Sequence, residues 1–339
     1  MVHNILLTGA AGYIGGTILT DLLACQDGPV KAAKLFAAVR TQEQVELLSK
    51  LAGVSVAQVD LLRKDAVEDY VHRNEIDFIV NLAPSFDLVV VSNLLSALGK
   101  RRQDGANDLR LINSSVTAAF SKENGWPFGE ISDTGPVIAK EKEIGDQHPV
   151  RVADIMVAEK GKELGVKTYI VVIPNVYGKG TGQGRKQSVS IPTYVRVSIR
   201  NQIVNKFDQD GHPAAAHVTD LAALYVLLIE KILQGDPIPS DEVGIYFGVA
   251  YTMSWWKVMS AIARALHSQL ETKAELLTRL RSQVPGNFLW AAVMVESMEI
   301  ATSTRKIWNV VGKGLPEDFE KFLEKRIQAF KPVHHAFIR

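Results

Sequence analysis

The first sixteen residues constrain the fold of this chain more than any other stretch. Ile5, Leu6 and Leu7 have the apolar character of a short buried strand, and an amphipathic helix carrying Ile18 and Leu22 is expected to follow. The segment between them is TGAAGYIGG. A strand, a glycine-spaced turn and a helix in this order form a cradle for dinucleotide phosphates. A plain tight turn is the alternative interpretation.

Each glycine of this turn has a separate expected role. Gly9 permits the tight turn, Gly12 lets the backbone approach a pyrophosphate without a Cβ in the way, and Gly15 lets helix and strand pack closely. The N–H groups of the first helical turn point at the phosphates, and the helix dipole favours the negative charge. The residues predicted to contact the dinucleotide in this segment are Gly9, Ala11, Gly12, Tyr13, Ile14 and Gly15.

The glycine spacing, preceded by Thr8, resembles the short-chain dehydrogenase/reductase superfamily in its extended or atypical branch, which is epimerase/dehydratase-like. A second match, the run Pro174-Asn175-Val176-Tyr177-Gly178, follows an apolar strand. The resemblance covers the chain from Asn4 to about Leu233. It implies an α/β fold, a Rossmann-type doubly wound parallel sheet with a smaller, mainly helical substrate lobe.

The same resemblance predicts how the chain divides. Residues 1–178 are expected to form the dinucleotide-binding domain, with residues 214–233 packing back on it. Residues 179–213 and 234–339 are expected to form the substrate-binding lobe. Helices near 270–283, 287–300 and 315–329 are expected to complete that lobe.

Composition excludes several classes of partner. The chain of 339 residues has 38 Lys and Arg against 37 Asp and Glu, a net charge of +1, so no overall charge favours nucleic acid or an anionic membrane. No stretch reaches the roughly 20 apolar residues that a membrane-spanning helix needs. The histidines show no metal-ligand spacing, so no metal site is predicted. The single cysteine, Cys25, cannot form an internal disulfide, which favours a reducing cytoplasm.

Arg40 decides the expected cofactor. It ends the second predicted strand, Leu35–Val39, where an acidic residue would bind the ribose 2′-hydroxyl of NAD and a cation accommodates the 2′-phosphate of NADP. Arginine is always charged and can stack on adenine while pairing with phosphate. NADP(H) is therefore the predicted cofactor, and a surface arginine without that role is the alternative.

The resemblance adds further cofactor contacts. Asp60 with Leu61 would meet the adenine edge, although Asp60 could instead cap the helix that begins near Lys64. Ala83 belongs to the loop that would pass beneath the nicotinamide ribose. Pro174 and Val176 would lie against the nicotinamide carboxamide.

The resemblance also implies a homodimer, because extended members commonly pair through two helices. Those helices correspond here to residues 86–98 and 149–165. Burial of both helices within the core of one subunit is the alternative.

The catalytic positions are where the sequence departs from the family pattern. Ser115, at the end of a strand over Leu109–Asn113, matches the active-site serine, with backbone capping as the alternative. The family's Tyr-x-x-x-Lys pair, in which lysine lowers the tyrosine pKa, is missing. One frame places Arg151 and Ile155 at the two positions, and the frame shifted by one residue places Val150 and Asp154 there.

Three other groups remain as candidates for chemistry in the pocket. Arg151 can polarise a carbonyl or bind a carboxylate as a fixed cation, with a surface ion pair to Asp154 as the alternative. Tyr177 carries a hydroxyl close to the site, and His148 is a second proton donor to consider. The predicted catalytic set is Ser115, Arg151 and Tyr177.

These features predict an enzyme without selecting one reaction. A reductase or epimerase-like enzyme that uses NADP(H) on a small carbonyl compound is favoured. A redox-neutral isomerase, dehydratase or cyclase, or a non-catalytic NADP(H)-responsive protein, are the alternatives. Pocket shape would come from residues 116–149, predicted to be irregular, and from the glycine-rich segment 179–186, either a connector or a lid.

Overall fold

The computed structural model describes residues 2–145, 147–201 and 203–266. The strands are β1 (Asn4–Thr8), β2 (Lys34–Val39), β3 (Val54–Gln58), β4 (Phe78–Asn81), β5 (Arg110–Val116), β6 (Lys167–Ile173), β7 (Asn175–Tyr177), β8 (Ala214–His217), β9 (Ile245–Phe247) and β10 (Tyr251–Thr252). The α-helices are α1 (Tyr13–Ala24), α2 (Gly28–Ala32), α3 (Gln42–Leu48), α4 (Lys64–Arg73), α5 (Leu88–Gln103), α6 (Val137–Ile144), α7 (Pro149–Leu164), α8 (Ser190–Asn201) and α9 (Val218–Gln234).

The main sheet has seven strands in the order β3-β2-β1-β4-β5-β6-β9, and the pairings between neighbours are parallel. The chain leaves β1 toward β2 and β3, then returns to place β4 on the other side of β1. Ligands of such sheets bind at the carboxyl ends of the strands, where the strand order reverses. The predicted Rossmann-type doubly wound sheet is therefore confirmed.

Each face of the sheet is covered by its own apolar core. Alternate residues of a strand point to opposite faces, so β1 sends Leu6 to one side and Leu7 to the other. Leu6 packs in a cluster with residues of α4, α5 and α7. Leu7 packs in the second cluster, with residues of α1 and α9. Burial on both faces explains why the central strands are almost continuously apolar.

Two stretches differ from the sequence-based expectation. Residues 116–149, predicted to be irregular, contain two short 3₁₀ turns and helix α6, which ends at Gly145 in the left-handed conformation. A second, three-stranded sheet in the order β10-β8-β7 was not anticipated. Its strands have only two to four residues, too few for an alternating pattern to be recognised in the sequence.

The described residues divide into two compact units, one made of residues 2–145, 147–188 and 214–251 and the other of residues 189–201, 203–213 and 252–266. This division differs from the predicted one at residues 179–188 and 234–251, which lie in the first unit. Strand β9 explains the second difference, because Ile245–Phe247 pairs with β6 at the edge of the main sheet.

The second unit has an aromatic centre. Tyr194 of α8 packs against Phe207 and Trp255. Asp210 accepts hydrogen bonds from Ser254 Oγ and from a backbone N–H where the helix over residues 255–266 begins. The helices predicted near 270–283, 287–300 and 315–329 lie outside the described residues. Among the described helices, none has the length and hydropathy that crossing a bilayer requires.

Candidate functional site

The glycine turn after β1 is closely packed. Gly9 has φ +68°, and the N–H of Gly12 donates to the Gly9 carbonyl at 2.8 Å. A Cβ on Gly15 would lie only 2.3 Å from that same carbonyl oxygen. Each of these positions therefore requires glycine for a different reason, namely a left-handed backbone at Gly9 and close contact with the turn at Gly15.

The N-terminus of α1 has no side chain that would compete with an anion. Its N-cap residue, Gly12, provides no side-chain cap, and the first turn contains no acidic residue. The positive end of the helix dipole and the first N–H groups therefore have no competing anion on the helix itself. Ala11, Gly12 and Ile14 are half-buried around it, and Tyr13 anchors the turn by donating its hydroxyl to the Gly178 carbonyl at 2.8 Å.

Residues 179–187, here called the glycine clasp, lie directly on this turn. The clasp closes on itself through a Lys179–Gln187 bridge and a hydrogen bond from Gly180 N–H to the Lys186 carbonyl at 2.8 Å. A Cβ on Gly182 would come within 2.6 Å of the Gly16 backbone. Two backbones in such close contact need glycine on both sides.

Two further contacts fix the clasp at the start of α1. Arg185 N–H donates to the Ala11 carbonyl at 3.1 Å, and a Cβ on Gly184 would lie 2.1 Å from that oxygen. Thr181 N–H donates to Thr17 Oγ1 at 3.3 Å. Burial raises the pKa of Tyr13, and the nearby Arg185 guanidinium partly opposes that shift. The clasp thus brings a cation to the edge of the turn.

Arg40 and Asp60 lie at the carboxyl ends of neighbouring strands, and both are exposed. The Arg40 backbone is held by Gln44, whose Oε1 accepts its N–H at 3.0 Å, and by Gln58 Nε2, which donates to its carbonyl at 2.9 Å. Asp60 Oδ1 accepts the Leu62 N–H at 3.0 Å, so it shapes the turn before α4. The N-cap of α4 is Arg63, not Asp60.

The loop after β4 is held by a buried polar chain that crosses three strand ends. Thr8 Oγ1 donates to Asn81 Oδ1 at 2.6 Å, and Asn81 Nδ2 donates to Asn113 Oδ1 at 2.8 Å. Asn113 Nδ2 then donates to the Ser85 carbonyl at 3.0 Å. Thr8 Oγ1 also accepts the N–H of Ala83 at 3.3 Å. Leu61 is tied to the same face, because its carbonyl accepts a hydrogen bond from Asn93 of α5.

Ser114 and Ser115 are residues of β5, and they face opposite sides of the sheet. Ser114 Oγ donates to the Asn81 carbonyl at 2.9 Å and lies 2.8 Å from the hydroxyl of Tyr225 on α9. Ser115 Oγ donates to Asp154 Oδ2 of α7 at 2.5 Å. Of the two helix frames considered from the sequence, the one that includes Asp154 therefore contains the residue in contact with Ser115.

Arg151 and Asp154 share a buried face of α7, with side chains 1% and 2% exposed. The alternative interpretation, a surface ion pair between them, is therefore wrong. Arg151 donates to the carbonyls of Ala119 and Asn124, the latter at 2.7 Å. Its guanidinium thus ties the two 3₁₀ turns that follow β5 to the helix.

Tyr177 lies at the end of β7, and it is 4% exposed. Its hydroxyl accepts a hydrogen bond from the Tyr251 hydroxyl, and its ring packs edge-on against His217 at 5.4 Å between centroids. Burial raises the pKa of Tyr177, so its hydroxyl stays protonated at neutral pH. Val176 pairs with Ala216 of β8, and Pro174 is buried where β6 passes into β7. His148 is the N-cap residue of α7.

The structure therefore brings together two groups of predicted residues in the first unit. The glycine turn lies under the clasp, and Ser115 lies against α7. Sequence reasoning missed Asn113, Tyr225 and the role of Asp154. It also missed the clasp contacts, although the alternating glycines of GTGQG were a readable sign of close backbone approach. Within the described residues, no group of three or more His, Cys, Asp or Glu side chains could hold a metal ion.

Comparison with known proteins identifies what this arrangement is similar to. The model of the NAD dependent epimerase/dehydratase family matches residues 5–240. No curated protein sequence matches the chain. UDP-glucose 4-epimerase of Thermus thermophilus, solved with NAD, is 18% identical with a TM-score of 0.53, covering 77% of this chain and 83% of that one.

Two further solved structures are similar to the same extent. dTDP-glucose 4,6-dehydratase of Bacillus anthracis, in complex with NAD, is 17% identical with a TM-score of 0.55, covering 78% of this chain and 82% of that one. UDP-glucuronic acid 4-epimerase of Bacillus cereus, in complex with UDP-glucuronic acid and NAD, is 14% identical with a TM-score of 0.55, covering 77% and 82%. At these identities the likeness concerns the fold.

Proposed function

Because the chain belongs to the NAD-dependent epimerase/dehydratase family, we propose that it binds a nicotinamide dinucleotide and acts as a reductase or epimerase-like enzyme on a small carbonyl compound. The glycine turn carries this proposal. In this turn, the N-terminus of α1 has no side-chain cap and no acidic residue in its first turn. The backbone is packed so closely that a Cβ on Gly15 would collide with it. Gly9, Ala11, Gly12, Tyr13, Ile14 and Gly15 would hold the pyrophosphate.

We propose NADP(H) as the preferred form. Arg40 lies exposed at the end of β2, and its backbone is fixed by Gln44 and Gln58. Solved relatives with the same fold bind NAD, which lacks the 2′-phosphate, so the preference depends on this side chain. Asp60 and Leu61 on the adenine side, and Ala83, Pro174 and Val176 on the nicotinamide side, complete the proposed contacts.

When bound, the dinucleotide supplies hydride transfer to or from a substrate carbon. The chain must then supply the proton chemistry, and its candidates are Ser115, Arg151 and Tyr177. Tyr177 is a proton donor rather than a base, since burial raises its pKa. Arg151 serves as a fixed cation that positions the segment after β5. Ile155, which cannot ionise, contributes no proton.

A redox-neutral isomerase, dehydratase or cyclase on the same scaffold is the second candidate. It is favoured by the replacement of the tyrosine–lysine pair, because such reactions can proceed by binding and polarising the substrate. A non-catalytic protein that responds to NADP(H) is the third. The two enzyme classes differ in whether the cofactor changes its redox state during net turnover.

The preference for NADP(H) is tested by fluorescence titration with NADPH and NADH. We expect the wild type to bind NADPH more tightly, and Arg40→Ala to weaken NADPH binding about 10-fold or more while NADH binding stays unchanged. Arg73→Ala, which removes an exposed arginine paired with Asp69 on α4, is the matched control. Equal loss for both cofactors, or none, contradicts the assignment.

The reaction class is tested by following NADPH oxidation and product formation together. The probes are UDP-glucose, dTDP-glucose, UDP-glucuronic acid and a panel of small aldehydes and ketones. Oxidation of NADPH by a carbonyl supports the reductase, and isomerised or dehydrated product without net oxidation supports the second candidate. Tight NADPH binding with no product from any probe would leave the non-catalytic interpretation.

Three further proposals remain about the setting of the protein. The partner is a small-molecule substrate, with no nucleic acid and no membrane. A reducing cytoplasm fits the single cysteine, Cys25. A homodimer through α5 and α7 stays a prediction, which is supported by two exposed apolar residues, Phe86 just before α5 and Val89 in its first turn.

A further inference from the structure

The contact between Ser115 and Asp154 places a buried carboxylate against the carboxyl end of β5. Asp154, a residue of α7, is 2% exposed, and its Oδ2 accepts the Ser115 hydroxyl at 2.5 Å. Its second oxygen, Oδ1, is buried and has no hydrogen-bond partner within the described residues. Burying a carboxyl oxygen without a hydrogen bond lowers the stability of the fold. An apolar residue at this position would avoid that loss, so packing alone does not explain an aspartate here.

The pair also lies on the side of the sheet that carries the other polar strand ends. On β5, Leu111 faces the core formed with α5 and α7, so Asn113 and Ser115 follow on the same side. Thr8 and Asn81 belong to that side as well, through the hydrogen-bonded chain that reaches Asn113. Thr8 immediately precedes Gly9, so this side of the strand ends leads directly into the glycine turn.

We propose that Asp154 acts through Ser115 as the proton store of the site, replacing the missing tyrosine–lysine pair. This inference rests on the proposed function. In the oxidative direction the substrate O–H bond breaks and its proton passes to Ser115 Oγ, while the original Ser115 proton passes to Asp154 Oδ2. The hydride that leaves the same substrate carbon would go to the oxidised nicotinamide dinucleotide of the proposed function. One O–H bond forms for each that breaks, and the charge of Asp154 is neutralised. Reduction of a carbonyl runs the same transfers backward.

The surroundings of Asp154 suit this role. Burial raises its pKa to about 7, and the hydrogen bond from Ser115 opposes that rise, so both protonation states are accessible at neutral pH. On α7 itself, Arg151 directs its guanidinium to the carbonyls of Ala119 and Asn124, so those contacts orient it toward the 3₁₀ turns.

Two other buried charged side chains lie on elements packed against α7. Glu141 belongs to α6, and its carboxyl is a second buried acid that any titration must distinguish from Asp154. Arg110 lies at the opposite end of β5 from Ser115, where it pairs with Asp108. The rise in the pKa of Asp154 comes from its burial, and the hydrogen bond from Ser115 opposes it, so the Glu141→Gln variant is needed to separate the response of the second acid from that of Asp154.

The first experiment is an infrared titration of the full-length protein without cofactor. We expect a protonated-carboxyl band that disappears as pH rises through neutrality and is missing in Asp154→Asn. Ser115→Ala should shift its midpoint to higher pH, because a hydrogen bond that favours the anion is lost. Ser114 is a buried serine on the opposite face, and Ser114→Ala should leave the midpoint unchanged. Glu141→Gln identifies any band from the second buried carboxyl. The proposal would be overturned if the wild type showed no protonated-carboxyl band, or if Asp154→Asn left that band unchanged.

The second experiment separates proton storage from structural support. With the probe that the wild type turns over best, Asp154→Asn should lower kcat about 100-fold with little change in KM. It should also abolish the change of kcat with pH through neutrality, which a packing defect would not do. A near wild-type kcat and pH profile in Asp154→Asn overturns the proposal. A wild type that turns over no probe overturns the proposed function and the catalytic part of this inference with it. An intact infrared titration then shows that the function, and not the pair, was the error.

Discussion

The glycine turn and the Ser115–Asp154 contact lie at the same edge of one sheet, yet they are built in opposite ways. The turn is made of backbone, and side chains are missing where they would collide, as at Gly15 and Gly184. The region between β5 and α7 is made of side chains, with a serine, an arginine and an aspartate all buried. The first can be recognised from its glycine spacing in the sequence, and the second cannot.

This difference shows which part of a dinucleotide site tolerates change. A phosphate cradle depends on φ angles and on the room for a Cβ, so substitutions there act on the fold itself. Proton chemistry depends on which ionisable group reaches one atom, and a carboxylate on α7 can take a position next to Ser115 without disturbing the sheet. The predictions that follow test each side of this contrast.

The largest effect is expected for Arg151→Ala. The substitution empties the space of a large side chain that is 1% exposed and leaves two carbonyls, those of Ala119 and Asn124, without their donor. We expect the free energy of unfolding to fall by about 3–5 kcal/mol, measured by urea denaturation. Arg151→Lys should recover part of the loss, and Arg73→Ala on the surface should cost less than about 0.5 kcal/mol. A loss for Arg151→Ala as small as that of the surface control would show that this cluster is not structural.

A smaller effect is expected from the pH dependence of stability. The pKa of Asp154 in the folded chain is about 7, above its ordinary value of 3.8, so the fold favours the protonated form. The stability that this provides is complete at low pH and is lost as pH rises from about 4 to about 7, by up to roughly 4 kcal/mol. Asp154→Asn should remove that loss, so the variant gains on the wild type as pH rises.

The measurement is urea denaturation of both proteins at several pH values between about 4 and about 8, with Ser114→Ala as the buried control. Glu141, the second buried acid, is present in all three proteins, so Glu141→Gln is measured beside them to separate its titration from that of Asp154. If the free energy of unfolding changed with pH in the same way for the wild type and Asp154→Asn, the pKa of Asp154 in the folded chain would be its ordinary one.

The glycine turn could be predicted because its signal is local. Gly9, Gly12 and Gly15 lie within seven residues, and their spacing encodes both the turn and the close packing of α1 on it. The parallel sheet follows from the apolar strands and the helices between them. Short β7, β8 and β10 could not be predicted, since their pairing is decided by which segments the fold brings alongside.

The partners of α7 could not be predicted for a different reason. A helix with apolar residues on most of its length does not reveal which face is buried, and Arg151 with Asp154 at three-residue spacing is typical of a surface pair. The fold instead buries both and gives each a different partner. Only the packing of α7 against β5 brings Asp154 to Ser115, and the sequence left both frames open.

The smallest expected effect concerns the glycine clasp. It tests whether the glycine turn binds NADPH without help from the clasp. A Cβ on Gly184 would lie 2.1 Å from the Ala11 carbonyl, so Gly184→Ala must lift the clasp and the Arg185 cation away from the start of α1. We expect NADPH to bind about 10-fold more weakly, equivalent to about 1.4 kcal/mol. Gln183→Ala, an exposed position between the two glycines, should bind as the wild type does. Unchanged NADPH affinity in Gly184→Ala would mean that the turn needs no help from the clasp, whereas a loss shared by Gln183→Ala would point to general disturbance of the loop.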